Sequence, residues 1–122
     1  MSTSRIVVVA ADDDPRALMF PVIGATDILD HGFDFGPWVR LAPDDRIAGV
    51  AIGLLPDTAA LGAAAQTGNV VVVRVGPGPP GNYALVCSVV TAQARRKTAV
   101  AYLVILPSDQ SESACRLSTF RR

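Results

Sequence analysis

Short apolar stretches rich in β-branched residues alternate along the chain with glycine, proline, aspartate and asparagine, and this pattern predicts strands rather than helices. The clearest strand is GNVVVVRV, residues 68–75, where consecutive valines favour extended backbone and place apolar side chains on both sides of the pleat. We therefore expect this strand to be covered on both faces. The next segment, GPGPPGN at residues 76–82, predicts a turn because its prolines and glycines interrupt regular structure.

Two long apolar segments after this turn are typical of a β-hairpin. Residues 83–92 and 98–107 are the predicted strands, both apolar on two faces, and the basic segment QARRK at residues 93–97 is the predicted turn. Within the first of these strands the period of two divides the side chains into two sets. The set with the larger side chains should face the core, and it consists of Tyr83, Leu85, Cys87 and Val89.

The remaining pattern predicts further strands upstream. Residues 27–35 and 45–55 are plausible strands, although two glycines weaken the second. Residues 58–66 are ambiguous, because their alanines favour helix locally while their position between strands favours a short strand or a loop. A further strand is possible within residues 1–15.

Six or seven short strands at this spacing predict an all-β fold, an immunoglobulin-like antiparallel β-sandwich, with a closed barrel as the alternative. Tyr83 supports the sandwich, since a tyrosine that follows a turn and opens a late strand is typical of the tyrosine corner. We expect residues 16–107 to form the sandwich domain. An extended N-terminal arm, residues 1–15, and a C-terminal tail, residues 108–122, should become ordered against a neighbouring molecule.

Composition narrows the possible partners. Of the 122 residues 50% are apolar and only 18% are charged, so part of the apolar surface is expected to meet other chains. The formal net charge is zero, which argues against nucleic acid as a partner. The short apolar run near the N-terminus meets Asp12, Asp13 and Asp14, so we predict neither a signal peptide nor a membrane span.

No residue pattern predicts catalysis, a metal site or a cofactor. His31 lies among Asp27, Asp30 and Asp34, but in a strand Asp30 and Asp34 face away from it, so we expect solvated acids beside a half-buried histidine. The glycine-rich segment has no following Lys-Ser or Lys-Thr and its prolines lack the amide donors that a phosphate needs. Cys87 and Cys115 stand in unlike settings and are expected to be free thiols.

The single tryptophan and the basic turn are the candidate partner contacts. Trp38 follows a Gly-Pro step in FGPWVRL, and it either packs in the core or anchors an interface. The basic residues 95–97 either contact an acidic partner or form a charged hairpin tip that keeps the protein in solution. The residues alone leave both questions open.

A series of short elements over residues 26–106 resembles a family of small bacteriophage virion proteins, the phage fiber-tail adaptor proteins. The resemblance includes a Leu-Asp step, an aromatic-Asp-aromatic strand, an apolar anchor, an acidic turn, a glycine turn with a tyrosine, and a basic turn. These elements are Leu29 and Asp30, Phe33 to Phe35, Trp38 and Leu41, Asp44 with Asp45 and Ile47, Gly81 with Tyr83, and Arg95 with Arg96.

The resemblance implies a non-enzymatic structural component of a tailed bacteriophage virion, an adaptor linking tail and fibre. A capsid decoration protein and a cellular immunoglobulin-like binding module are the alternatives. The implied partners are other virion proteins of the tail, fibre or capsid in a symmetric multi-copy assembly, with no membrane and no cofactor. The interface residues we expect are Trp38, Arg95, Arg96, Lys97, Arg116 and Phe120.

Overall fold

The computed structural model describes residues 6–11 and 18–107, and these contain nine strands and one helical turn. The elements are β1 (Ile6–Val8), β2 (Leu18–Met19), β3 (Ile23–Gly24), β4 (Leu29–Asp34), α1 (Gly36–Val39), β5 (Ile47–Leu55), β6 (Leu61–Thr67), β7 (Val70–Val75), β8 (Gly81–Thr91) and β9 (Arg96–Leu106). The predicted strands are therefore present. The Arg116, Phe120 and Cys115 predictions and the tail prediction lie outside the described residues.

The strands form two sheets, which confirms the predicted all-β class. The first sheet has the order β1-β4-β7-β6 and the second has the order β2-β9-β8-β5, with β3 also paired to β9. The long strands pair antiparallel, β4 and β6 with β7, and β5 and β9 with β8, but β1 pairs parallel to β4, and β2 and β3 pair parallel to β9. The prediction of an antiparallel fold throughout is wrong at these three pairings. They join strands distant in sequence, where no tight turn imposes an antiparallel direction.

The predicted hairpin of β8 and β9 is confirmed, with pairing from Gly81 opposite Ile105 to Val90 opposite Arg96. Its turn is tighter than expected. The Thr91 amide donates to the Arg95 carbonyl at 2.8 Å, and Ala94 adopts a positive φ of 65°. Arg96 and Lys97 consequently lie at the start of β9 rather than in the turn.

The ambiguous alanine-rich segment is a strand, β6, which pairs antiparallel with β7 at the edge of the first sheet. Its local preference for helix is overridden because β7 offers a ladder of backbone partners. Gly68, with a φ of +61°, supplies the left-handed conformation of the turn that joins the two strands.

The core lies between the sheets and follows the period of two. Phe33 and Phe35 on the first sheet are fully buried, as is Leu85 on the second. The predicted inward set of β8 is confirmed, because all four of its members are buried: Tyr83, Leu85, Cys87 and Val89. Burial raises the pKa of the Cys87 thiol to about 11, so this free cysteine stays protonated.

The expectation that β7 is covered on both faces is wrong, and β9, although apolar on both faces as predicted, is likewise exposed on one of them. Arg74 is exposed at the end of the outward row of β7, and Val100 and Tyr102 are exposed on β9. In a two-layer sandwich the outward side of each sheet has no further layer over it. We call the outward sides of the first and second sheets the first outer face and the second outer face.

The end of the sandwich that carries the glycine-rich segment is held by short polar contacts. The Tyr83 hydroxyl donates to the Pro79 carbonyl at 2.6 Å and lies 3.1 Å from the Thr58 hydroxyl. Gly78 packs directly against Ala59, where a Cβ would collide. The predicted break in regular structure is present at residues 76–80, although β8 begins at Gly81, within the predicted turn, and Gly78 permits a close approach of two loops.

Candidate partner-binding site

A single turn of helix follows β4 at the opposite end of the sandwich. Pro37 occupies the first turn, where its fixed φ suits a helix, and the Asp34 carboxylate accepts from the Gly36 amide at 2.8 Å. The Val39 amide donates to the carbonyl of buried Phe35 at 2.9 Å. The chain thus turns sharply at the end of a core strand, and α1 lies against the sandwich.

Trp38 on this turn is 8% exposed, and Arg95 covers it. The guanidinium carbon of Arg95 lies 4.3 Å from the centre of the Trp38 ring, a cation–π contact. The same guanidinium donates to the Trp38 carbonyl at 2.8 Å and to the Val39 carbonyl at 3.3 Å. Arg95 therefore adds a second donor to each of two carbonyls at the end of α1, which also accept from the amides of residues 41 and 42 at 3.2 and 3.3 Å.

Asp45, in the loop that follows α1, is the third member of this contact and pairs with Arg95. Its carboxylate accepts from Arg95 at 2.9 Å and its side chain is fully covered, while the Arg95 side chain is 25% exposed. Burial alone would raise the pKa of Asp45, but side-chain hydrogen bonds from Thr91 and Arg95 and amide hydrogen bonds from Gln93 and Arg46 outweigh it. The pKa of Asp45 is consequently held below its ordinary value, and the carboxylate stays charged.

Further hydrogen bonds join the loop after α1 to the β8–β9 turn. The Gln93 amide donates to the Asp45 carboxylate at 3.0 Å, and the Gln93 side chain donates to the Pro43 carbonyl at 2.9 Å. The Ala92 amide donates to the Arg46 carbonyl at 2.8 Å. We call α1, residues 40–46 and the turn at residues 92–95 the loop end, and we call the Trp38–Arg95–Asp45 contact the clamp.

The clamp presents a small apolar and basic surface. Leu41, the second residue after α1, is 62% exposed, and Arg40, Asp44 and Arg46 of the same loop are also exposed. Because the backbone beneath them is fixed by the clamp, these side chains are carried on an ordered platform. An exposed leucine among arginines suits contact with a protein surface that has apolar and acidic groups.

The structure brings together only part of the predicted interface. Trp38 and Arg95 are in direct contact, whereas Arg96 points to the second outer face, beside Gly49 and Val90. The side chain of Lys97, the next residue of β9, points to the opposite side of the sheet and is half-buried. Whether these residues meet a partner stays a prediction.

Asp45 was missed as a member of this site. The sequence marks it as part of an acidic turn, but its partner Arg95 stands 50 residues away, and the antiparallel pairing of β5 with β8 brings the two together. The sequence does contain a signal for this contact: an acidic turn precedes β5, and a basic turn follows β8, the strand that pairs with β5.

The environment of His31 also differs from expectation. His31 is fully buried rather than half-buried, because it shares the core-facing side of β4 with Phe33 and lies edge-on to Phe20 at a ring distance of 4.8 Å. Asp30 and Asp34 lie on the other side of the strand, as predicted. Within residues 6–11 and 18–107 no group of three or more His, Cys, Asp and Glu side chains is placed to hold a metal ion.

The described part of the chain holds no helix of the length and hydropathy needed to cross a membrane. Residues 24–104 match the family model described as Podophage GP4 fiber-tail adaptor protein gp77. No curated protein matches the chain. The matched segment runs from Gly24 in β3 to Val104 in β9 and contains the whole loop end.

Proposed function

The chain belongs to the podophage GP4 fiber-tail adaptor family, as its resemblance predicted, and we propose that it is a non-enzymatic virion component that links the tail to a fibre. The observation that carries this proposal is the extent of the family match. It covers the sandwich from β3 to β9, so the family relationship concerns the folded body and its loops. The location we propose is accordingly the virion, at the tail.

The loop end is the docking surface for a tail or fibre protein. The clamp supports this assignment, since it orders a loop that presents Leu41 between two arginines. Trp38 and Arg95 lie below the docking surface and stabilise the conformation of the loop that carries it. Arg96 and Lys97 follow the loop end at the start of β9, where their side chains point to opposite sides of the sheet. The partner is a virion protein with carboxylates around an apolar contact.

The sandwich is of immunoglobulin type. The strand order β1-β4-β7-β6 and β9-β8-β5 has the arrangement of the ABED and GFC sheets of that fold, and this order supports the assignment. Tyr83, near the start of the strand equivalent to F, hydrogen-bonds to the carbonyl of Pro79 upstream, as in a tyrosine corner. In such sandwiches the loops equivalent to those of the loop end are common binding loops.

The partners are proteins of the same particle, in a symmetric multi-copy assembly. The zero formal net charge argues against nucleic acid, because no excess of cations is available to neutralise phosphates. The one histidine of the chain is fully buried, which argues against its use as a catalytic base.

The test is deletion of the gene from the phage that encodes this chain, with fibres counted on purified particles by negative-stain electron microscopy. We expect tails without fibres, and restoration of the fibres when the wild-type chain is supplied in trans. Unchanged fibres with a less stable capsid would instead identify a decoration protein. Unchanged particles would favour a cellular binding module.

A matched pair of variants tests the docking surface in the same assay. Leu41→Asp places a charge on the loop end, and we expect it to fail to restore fibres. Ile28→Asp is the control, because Ile28 is 53% exposed but lies before β4, at the other end of the sandwich. Equal restoration by both variants would remove the loop end as the docking site.

A further inference from the structure

The second outer face is built from side chains that the pairing register places in rows across the sheet. Its middle row joins Gly53, Val86 and Val100, and a neighbouring row joins Leu55, Ala84, Tyr102 and Met19. Leu55 is 63% exposed and Tyr102 is 47% exposed. These rows form a continuous apolar surface.

Charge is confined to one end of this face. Among the described residues that point outward from β2, β5, β8 and β9, Arg96 is the one charged side chain. The Ser88 and Thr98 hydroxyls lie 2.8 Å apart and bond to each other. The face therefore matches a partner surface that is apolar and uncharged.

The second outer face has a depression at one end and protruding side chains at the other. On one side of the Val86 row, Gly49, Ala51 and Ser88 leave a depression of about 350 Å³. On the other side, two rows away from Ser88 along β8, Leu55 and Tyr102 stand out from the sheet. One end of the face is thus a hollow and the other a ridge.

We propose that this face docks on the same face of a second copy of the chain. The two-fold axis lies in the plane of contact and runs across the strands along the Val86 row. Rotation about this axis places the ridge end of one copy over the hollow end of the other. It places Leu55 of one copy over Ala51 of the other, and Tyr102 over Thr98 next to Arg96. The ridge of each copy then fills the hollow of the other copy, so the contact is isologous, with the same surface used on both sides.

The partner is a second copy because the other described surfaces of the chain do not fit. The first outer face carries Asp30, Asp34 and Arg74, and the loop end carries Arg40 and Arg46. Either surface would bury unpaired charge against the apolar rows. The same face of another copy brings the apolar rows together, and Arg96, which lines the depression at one end of the face, is the one described outward charge near the contact.

The area of the face sets the strength of the contact. Four strands about 4.8 Å apart and a length of about 27 Å give about 500 Å² per copy. The total of about 1,000 Å² lies at the lower limit for a specific interface. The dimer is accordingly weak and reversible in solution, and it forms readily where an assembly holds copies side by side.

The experiment is sedimentation velocity of the purified full-length chain over a wide concentration range. The wild-type chain should pass reversibly from monomer to dimer. Val100→Lys places like charges near the proposed two-fold axis, so its dissociation constant should rise at least tenfold. Val8→Lys is the matched control on the first outer face, where Val8 is exposed beside Asp34, and it should dimerise as the wild type does.

Tyr102→Lys provides a second variant at an exposed position, and circular dichroism checks that each variant is folded. A wild-type chain that stays monomeric throughout would overturn the proposal. So would dimerisation that survives both Val100→Lys and Tyr102→Lys, because the contact would then lie elsewhere. Neither result bears on the link between tail and fibre, which is tested in the particle.

Discussion

An arginine and an aspartate form an ion pair at the loop end and another such pair lies on the first outer face, but the surroundings of the two pairs differ. Arg95 and Asp45 are 2.9 Å apart with side chains 25% and 0% exposed, whereas Arg74 and Asp30 are 3.2 Å apart with side chains 66% and 58% exposed. Arg95 also binds two carbonyls and the Trp38 ring.

The difference shows which ion pair shapes the molecule. The exposed pair exchanges contacts with water at little net gain, while the covered pair has replaced water by fixed partners in several directions. Removing Arg95 takes the cation away from a covered carboxylate, and Asp45 then keeps only its uncharged hydrogen-bond donors. We therefore assign the order of the loop end to the clamp, and we regard the Arg74–Asp30 pair as a feature of a solvated face.

The largest expected effect is that of Arg95→Ala. It removes the ion pair, two carbonyl contacts and the cation–π contact, and we expect unfolding free energy to fall by about 2–3 kcal/mol. Urea denaturation at neutral pH measures this value. Arg74→Ala is the matched control and should change the free energy by less than about 0.5 kcal/mol. Equal losses in the two variants would remove the distinction between the pairs.

The contribution of the Asp45 carboxylate to the free energy of unfolding should depend on pH. Because its pKa is lowered in the folded chain, the unfolded chain binds more protons near pH 4, and stability rises with pH through that window. This contribution is complete above the unfolded pKa of about 3.9 and is lost as the pH falls through the lower folded value.

Asp45→Asn should therefore be less stable than the wild type at pH 7, with the difference shrinking as the pH falls below about 4. Denaturation curves of both proteins from neutral to acid pH provide the measurement. A difference that stays constant over the whole range would show that the charge of Asp45 does not support the fold.

A double-mutant cycle on Arg74 and Asp30 should give a coupling energy below about 0.5 kcal/mol, since both side chains are solvated. Added salt should reduce this coupling further. A coupling above about 1 kcal/mol, unchanged by salt, would mean that the first outer face is organised by its charges.

The smallest effect on stability is expected from Leu41→Asp. Leu41 is exposed, so the unfolding free energy should change by less than about 0.5 kcal/mol. Thermal unfolding followed by circular dichroism measures the change. A large loss would mean that Leu41 packs within the domain, and failure of this variant to restore fibres would then reflect misfolding.

Much of the sandwich was predictable from the sequence because its long strands carry strong local signals. The β8–β9 hairpin follows from two apolar runs around a turn, and the inward set that begins at Tyr83 follows from the period of two. The segment that forms β6 was ambiguous because its alanines favour helix, and its pairing with β7 decides the outcome.

The features that escaped prediction depend on contacts distant in sequence or on very short elements. α1 contains four residues, too few to show a helical period. The parallel pairings of β1, β2 and β3 leave no turn signal, because no tight turn joins the paired strands. The clamp joins Arg95 to a loop 50 residues earlier, and Tyr102 is exposed because none of the described elements covers the second outer face.

The most direct test of the adaptor function is quantitative mass spectrometry of purified particles from the phage that encodes this chain. An adaptor should be present in a small integer ratio to the fibre protein and at a small fraction of the copies of the major capsid protein. Copies close to those of the major capsid protein, or absence of the chain from the particles, would contradict the proposal.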